Sequence, residues 1–559
     1  MKKKPVIFIL IIVIVVVGVF GGIYITRNIG ESDKTINVKD SKAKLEKYYE
    51  EISPIMGTPT KSTVEFYEDD NTFQELPELS DSSIVVSETG ELYAEIFSSS
   101  EKTGTGSDGF LREMANAFNK SGAEIDGKKV SIRLRTVSSG QQVDYVASGK
   151  YVPAAISPSS TLSVKMLNAK GVKTENITDS LVNNYAGIVV SKSTYSTLVE
   201  EYGGANVQAL AKATADDKII MGYTNPFTSA TGLNFLVTLL DSYSSGNILA
   251  QKAIDGFTAF QKNIPFVAMT TGQMRTAAEK GTFDGFVLEY QTFLNDANLS
   301  KNYTFIPFGY IHSNPLAAIS SASAVEKQIL SLFADYCEQN GGTLAKEYGF
   351  NTVPDGFVDM ITDYSGEELI AAQALYKENK DIAPMVCVFV TDVSGSMTGE
   401  PLNTLKSSLI NSMRYINPEN YIGLVSYSET VTIELPIEKF DLTQQSSFKG
   451  TVESLSANGA TATFDAICVA MKLIQDKLVE VPDAKPMLFV LSDGETNRGY
   501  SLEDISDIIS ALQVPVYAIG YNANIAALEE IADINEGICI DANTDDITYQ
   551  LKQLFNANM

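Results

Sequence analysis

The sequence predicts an α/β protein of two consecutive units behind one transmembrane helix. Three observations predict it. An uncharged run rich in Ile and Val, Pro5 to Tyr24, follows Met1-Lys2-Lys3-Lys4. From about Ser83, short β-branched runs alternate with helical patterns and end in hydroxyl-rich loops, the rhythm of a parallel sheet. Further on, Met385 to Val390 (MVCVFV) leads into Thr391-Asp392-Val393-Ser394-Gly395-Ser396-Met397. A helical pattern follows, with Leu402, Leu405, Leu409, Met413 and Ile416 spaced three or four apart.

The whole chain has 559 residues, which is long for one domain, and a net charge of −27. That charge argues against a general nucleic-acid binder, which needs a basic surface to displace counterions. It also argues against a basic patch docked on anionic lipid. The four cysteines, Cys337, Cys387, Cys468 and Cys539, form no CxxC pair, so a zinc ribbon or redox dithiol is not expected. Buried free thiols are the default for them, with a disulfide left open. The one histidine, His312, removes Ser-His-Asp and HExxH chemistry and is itself expected to be a loop residue without a role. No GxxxxGK[ST] is present, so no Walker-type nucleotide site is expected.

Residues 1–4 read as a cytoplasmic tail and 5–25 as the transmembrane anchor. About 20 apolar residues span a bilayer, whereas a cleaved signal peptide has a shorter apolar region of about 7–15 and a small-residue cleavage site. Lysines ahead of the run favour a cytoplasmic N-terminus and an exported remainder. The expected location is therefore the cell membrane, single-pass, with an extracytoplasmic ectodomain; cleavage is the weaker alternative. Residues 26–82 are polar and charged, with a helical piece from Ala43 to Ile52 and a Pro-punctuated stretch to Thr60. They read as a stalk.

Residues 83–351 form the middle unit. Leu92 to Phe97 reads as a strand that ends at Ser98 and Ser100, followed by Gly104-Thr105-Gly106-Ser107-Asp108-Gly109. Taken literally this is strand–GxGxxG–helix, the dinucleotide fingerprint. It is rejected, because the next strand, Val130 to Val137, ends in Ser138-Ser139-Gly140 with no acidic residue to hold a ribose. The arrangement then recurs, at Ser159 after Pro153 to Ile156, at Thr228, Ser229 and Thr231 before the helix Leu233 to Leu240, at Thr271 after Phe266 to Met269, and at Glu289 after Gly285 to Leu288. One such loop is a capping habit; several suggest a shared polar cleft with helix N-termini facing it.

This order resembles the extracellular solute-binding proteins, the two-lobed periplasmic-binding class. The Ser loops, Asn225-Pro226-Phe227-Thr228-Ser229-Ala230-Thr231-Gly232, the strand ending Glu289-Tyr290 and the closing Ala345 to Phe350 carry the likeness over about Ser83 to Asn351. It implies a small solute clasped between lobes. Arg and Lys are scarce in these loops, which points to a small oxyanion held by NH and OH groups or to a neutral polar solute. Glu289 would repel an anion if it faced the cleft, so either it turns away or the ligand carries an amine; the sequence leaves both open. Residues 352–383 read as a connector, with a helix start at Ser365-Gly366-Glu367-Glu368.

Residues 384–559 form the last unit. Asp392, Ser394 and Ser396 offer only hard oxygen, which suits Mg²⁺ or Ca²⁺ rather than zinc. Mg²⁺ needs about six oxygens, so other loops must contribute. Gly459-Ala460-Thr461-Ala462-Thr463 opens a helix, and Ser492-Asp493-Gly494 ends the strand Pro486 to Leu491. A single DxSxS also serves to cap helices; the three-part pattern does not need that explanation. Together these motifs resemble a von Willebrand factor type A domain of Rossmann-like, doubly wound fold. The resemblance implies direct coordination of Mg²⁺ (or Ca²⁺ or Mn²⁺) by Ser394 and Ser396. It implies coordination by Thr461 directly or through water, with Asp392 and Asp493 acting mainly through water. It also implies an open place for a protein ligand's carboxylate. Asp541, Asn543 and Asp545 imitate the start of an EF-hand loop, but Asp546 and Lys552 stand where Gly and Glu are needed.

The expected function is a membrane-anchored extracytoplasmic binding protein, an adhesin or ligand sensor, and not an enzyme. The alternative is the solute-binding component of a transport system. A metal-assisted hydrolase ranks third, since Glu495 is the one spare carboxylate on the metal loops.

Overall fold

Parallel strands buried on both faces read as continuous apolar runs, and β14 below is the clearest case, with every residue buried. The computed structural model describes residues 38–64, 76, 79, 83–264, 266–268, 274, 283–379, 384–494, 496–521, 526–534, 539–541 and 551. Among the described residues a helix, Val38–Ile52, and a short strand, β1 (Ile55–Met56), come first. The middle unit runs through β2 (Ile84–Val86), β3 (Leu92–Ser98), β4 (Glu124–Ile125), β5 (Lys128–Thr136), β6 (Ala155–Ser157) and β7 (Thr174–Thr178). It crosses to β8 (Asn184–Ser191), β9 (Met221–Thr224), β10 (Phe266–Ala268), β11 (Gly285–Glu289) and β12 (Tyr303–His312), then returns with β13 (Leu316–Ile319). The last unit holds β14 (Met385–Asp392), β15 (Tyr421–Tyr427), β16 (Val431–Lys439), β17 (Lys485–Ser492), β18 (Val516–Gly520) and β19 (Cys539–Asp541).

The middle unit has two sheets, and hence two lobes. The first is ordered β2-β5-β3-β6-β13-β7, with β4 paired to β5, and the second β10-β9-β11-β8-β12. The chain passes between them twice, at 179–183 and 313–315. At this double crossing Asn314 takes a left-handed φ of 49°. Its side-chain amide donates to Val182 O and His312 O, both at 2.9 Å.

The residues expected to be a connector belong to the middle unit. Helix Gly366–Asn379 lies across both lobes: a Cβ on Gly366 would sit 2.2 Å from Lys165 O on the first. On the second lobe Gln373 donates to Pro226 O at 2.7 Å. Its apolar face, Leu369, Ala372, Leu375 and Tyr376, joins a core that contains residues of both sheets. The periodicity of those residues showed the face; it could not show which surface covers it.

The last unit is one sheet ordered β1-β16-β15-β14-β17-β18-β19. Here the structure departs from the expected stalk. Residues 38–64 are bound to this unit. Ile55 and Met56 pair in parallel with Thr432 and Ile433 at the sheet edge. Ser62 N donates to Ser446 O at 3.0 Å, and Gly450 has no room for a Cβ because Lys61 C would stand 2.6 Å away. The polar sequence hid this because Leu45 alone of the apolar side chains of helix Val38–Ile52 is buried, and two tyrosines lie half-buried against the core. Tyr48 stacks on Tyr500 with centroids 3.9 Å apart. Lys44 donates to Asp504 O at 2.7 Å. Residues 5–25 lie outside the described residues; among the described residues no helix is long and apolar enough to cross a membrane. All four cysteines are free, with Cys337, Cys387 and Cys468 buried.

Stacked aromatic pairs contribute about 0.5–1.5 kcal/mol beyond the area they bury. Tyr48→Ala is expected to destabilise the last unit by about 1–3 kcal/mol, as an earlier unfolding midpoint in denaturant. An unchanged midpoint would mean the N-terminal helix rests on this unit without stabilising it.

Candidate functional site

Two sites form at the carboxyl ends of strands, where polar loops meet helix N-termini. The first is on the last unit. Asp392 ends the central strand β14 and is fully buried. Its Oδ1 accepts from Ser394 N at 2.8 Å; its Oδ2 accepts from Ser492 Oγ at 2.7 Å and Tyr427 OH at 3.2 Å. Both oxygens are therefore held, and the carboxylate cannot rotate freely. Burial pushes the Asp392 carboxyl up; hydrogen bonds from Ser394 and Ser492 oppose this, and the charge of Asp493 adds to the rise.

Ser394 is buried and Ser396 exposed, with their hydroxyl oxygens 3.0 Å apart. The Thr461 loop is drawn onto this turn by Gly395 N donating to Gly459 O at 3.0 Å and Asn458 N to Val393 O at 2.8 Å. Gly459 has a φ of 80°, which favours glycine. Thr461 is then fixed from the other side. Asn497 Oδ1 accepts from its N at 3.0 Å, and the N–H groups of Asn497 and Arg498 donate to its carbonyl at 3.1 and 3.2 Å. Asp493 is 8% exposed. Sequence reasoning missed Tyr427, Ser492 and Asn497; the Asn497 side chain carries no metal-site signature, and its role depends on where the loop folds back.

The donor set fits a hard divalent cation. It joins two carboxylates and three hydroxyls with no nitrogen or sulfur. Among the described residues no group of three or more His, Cys, Asp or Glu side chains gathers, so hydroxyls must do much of any coordination here. Asp541 ends β19, and the rest of the EF-hand-like stretch lies outside the described residues, as does Glu495.

The second site lies between the lobes. A cavity of about 30 Å³ is lined by Ser100, Ser138, Ser139, Ser159, Thr228, Ser229, Thr231 and Glu289, all singled out from the sequence, together with Ser99 and Glu101. The Ser98 hydroxyl is buried beside Ser99 without a hydrogen-bond partner, and Thr271 lies outside the described residues. Ser138 and Ser229 cap the two helices that face the cavity, Ser139–Ser148 and Ala230–Ser244. The lobes touch: Gly140 N donates to Thr228 O at 3.2 Å, and a Cβ on Gly140 would stand 1.7 Å from Phe227 O. Closure in this form needs glycine at 140.

The structure corrects one expectation and decides one alternative that the sequence leaves open. His312 is not an idle loop residue; it ends β12 fully buried, with Nδ1 3.1 Å from Glu289 Oε1 and Nε2 3.1 Å from Asn234 Nδ2. Glu289 does not turn away from the cleft. It lines the cavity while accepting from Thr231 Oγ1 at 2.7 Å and from Asn184 Nδ2. The scarcity of basic residues also has an exception. Lys102 is fully buried, donating to Ser99 Oγ at 2.7 Å and Asn314 Oδ1 at 2.8 Å, with Glu101 Oε1 at 3.4 Å. Burial pushes the Lys102 ammonium down against the charges of Glu101 and Glu289. Glu101 also accepts from Ser99 and Ser159. Burial pushes its carboxyl up, but the Lys102 charge and these hydroxyls leave it below the usual carboxylate range.

Both units are of types built for binding. A family model described as von Willebrand factor type A domain matches residues 387–557, and one described as bacterial extracellular solute-binding protein matches 103–351. The chain thus carries a bacterial solute-binding domain and a von Willebrand factor type A domain. Inter-alpha-trypsin inhibitor heavy chain H3 of Bos taurus is 27% identical over 171 residues, covering 28% of this chain and 19% of that protein. The chain thus spans about a fifth of that relative's length. Among solved structures, von Willebrand factor type A from Catenulispora acidiphila is 20% identical with a TM-score of 0.27, over 31% of this chain and 42% of that one. A periplasmic thiamin binding protein is 12% identical with a TM-score of 0.38, over 52% and 96%.

Gly140→Ala is expected to hold the lobes apart, since an added Cβ of even one methyl cannot share space with a backbone carbonyl. A nitroxide pair introduced by Lys120→Cys and Lys252→Cys, both exposed and on opposite lobes, should report a longer distance in the variant than in the parent. Equal distances would show that the lobes do not meet at this residue in solution.

Proposed function

We propose that the protein is a membrane-anchored, extracytoplasmic binder with two recognition modules, a solute cleft and a metal-dependent protein-binding face. The observation that carries the reading is the meeting of three loops at the end of β14. They hold the Ser394 and Ser396 hydroxyls 3.0 Å apart beside a doubly anchored Asp392. Asp392, Ser394, Ser396, Thr461 and Asp493 would hold Mg²⁺, which when bound supplies an electrophilic position for a carboxylate of a protein partner. The chain's own residues do the rest. Ser492 and Tyr427 orient Asp392. Asn497 holds the Thr461 loop in place. Exposed Ser396 leaves the site open to a partner.

The uncharged run 5–25 supports an anchor by its length and flanking lysines. Residues 38–64 pack on the metal-binding module, which would place that module near the membrane and the solute cleft in the chain segment beyond it. Binding rather than hydrolysis is favoured because both oxygens of Asp392 are already engaged as acceptors, leaving it poorly placed to take a proton from water.

Native mass spectrometry of the full chain, released from detergent and purified without chelator, is expected to show one bound divalent metal at millimolar Mg²⁺. The double variant Ser394→Ala/Ser396→Ala should lose it while keeping the parent's melting temperature within a few degrees. Retention of the metal by the double variant would remove the basis for the adhesion-type reading.

A further inference from the structure

The cavity between the lobes carries a charge balance that its ligand must answer. Glu101 and Lys102 compensate each other within the first lobe. Glu289 comes from the second lobe; Lys102 is shared between the two carboxylates, and whether the trio keeps a net charge depends on His312. The hydrogen bonds of Asn234 decide this. Its Oδ1 accepts from Tyr310 N at 3.0 Å and its Nδ2 donates to Tyr310 O at 2.9 Å, so the amide orientation is set by the backbone. The same Nδ2 lies 3.1 Å from His312 Nε2. A nitrogen facing an N–H donor must accept, so the ring proton is on Nδ1, pointed at Glu289 Oε1 at 3.1 Å. The imidazole is then neutral. It gives Glu289 a hydrogen bond but no charge, and one negative charge is left over in a hydroxyl-lined space.

The strand ends behind the cavity wall, outside its lining, also carry unmet bonding capacity. Ser98 Oγ and Ser157 Oγ, on directly paired residues of β3 and β6, and Thr224 Oγ1 and Asn225 Nδ2, at the end of β9, are all fully buried and have no hydrogen-bond partner. Orphaned buried polar groups are rare in native proteins; these stand behind the wall and do not themselves select the ligand. The hydroxyls of Ser138, Thr228, Ser229 and Thr231 on the cavity wall can accept as well as donate.

We infer that the cleft selects a small solute bearing an ammonium group, seated between Glu101 and Glu289, and that it rejects oxyanions. The inference rests on the solute-binding reading of the middle module. The space between the lobes is small, about 30 Å³, so the part of the solute that reaches Glu101 and Glu289 is a head group. An oxyanion placed there would gain from the two helix N-termini that face the cavity, but it would meet two carboxylates and find the Lys102 ammonium already committed to Ser99, Asn314 and Glu101. A metal ion is the poorer occupant. Among the described residues no third His, Cys, Asp or Glu joins to make a ligand group, and both Glu289 oxygens already accept hydrogen bonds. An ammonium needs only acceptors and a compensating charge, which this wall supplies.

The test is titration calorimetry of the full chain in detergent. The probes are methylammonium, ethanolammonium and 1,4-diaminobutane chlorides, with sodium sulfate, phosphate and molybdate as the opposing set. At least one ammonium salt is expected to bind and no oxyanion to do so. Glu289→Gln and Glu101→Gln, isosteric changes that each remove one negative charge, should each weaken the ammonium salt about tenfold or more. Melting curves establish that a variant is folded, and either folded variant decides the point. Oxyanion binding by the parent, or undiminished ammonium binding in a folded variant, overturns this inference and leaves the solute-binding reading standing. Silence towards every probe overturns both.

Discussion

Burying a carboxylate without compensation costs several kcal/mol, far more than burying a hydroxyl, and both sites are shaped by that constraint. In the last module Asp392 stands at the end of a fully buried strand, and three donors converge on its two oxygens. The loops carrying Ser394 and Thr461 are tied to one another by backbone hydrogen bonds. Asp392 is thereby a structural centre as well as a candidate metal group. The arrangement binds its neighbours in order before any ligand arrives. In the cleft the same constraint gives a different answer. Glu101 is met by Lys102, and Glu289 by neutral donors alone.

The course of the chain gives these sites a common frame. From residue 38 it runs along the edge of the last module, leaves to build both lobes of the middle one, and returns to complete that sheet. Tyr48 of the first helix stacks on Tyr500, whose backbone N–H donates to Asp465 in the first turn of the helix that follows Thr461. Tyr500 lies a few residues beyond Asn497, the residue that holds Thr461. The N-terminal segment thus touches the stretch of chain that also carries Asn497, the residue holding the Thr461 loop at the candidate metal site. At the opposite face Lys485, which opens β17, donates to Ile264 O of the middle module at 2.9 Å. Helix Gly366–Asn379 closes the frame by gripping both lobes at once.

Several features were legible from residues alone because they depend on short-range rules. A β-branched run ending in a polar loop and followed by a three-to-four spacing predicts strand, turn and helix whatever surrounds it, as at Asp392 and at Ser98. Eight of the ten side chains singled out for the cleft line its cavity, since neighbouring parallel strands in each lobe deliver their carboxyl ends to one edge and the two edges face each other. Sequence alone also determined that the last module's donor set is oxygen, because residue type fixes chemistry. What it could not determine is which surfaces meet. The segment 38–64 reads as a polar spacer because its attachment to the sheet edge uses backbone hydrogen bonds and half-buried tyrosines, neither of which leaves an apolar pattern. His312 reads as idle because its meaning comes from Asn234 and Glu289, 78 and 23 residues away. The charge left in the cleft was equally hidden. It depends on which way one amide faces, and only the folded backbone at Tyr310 decides that.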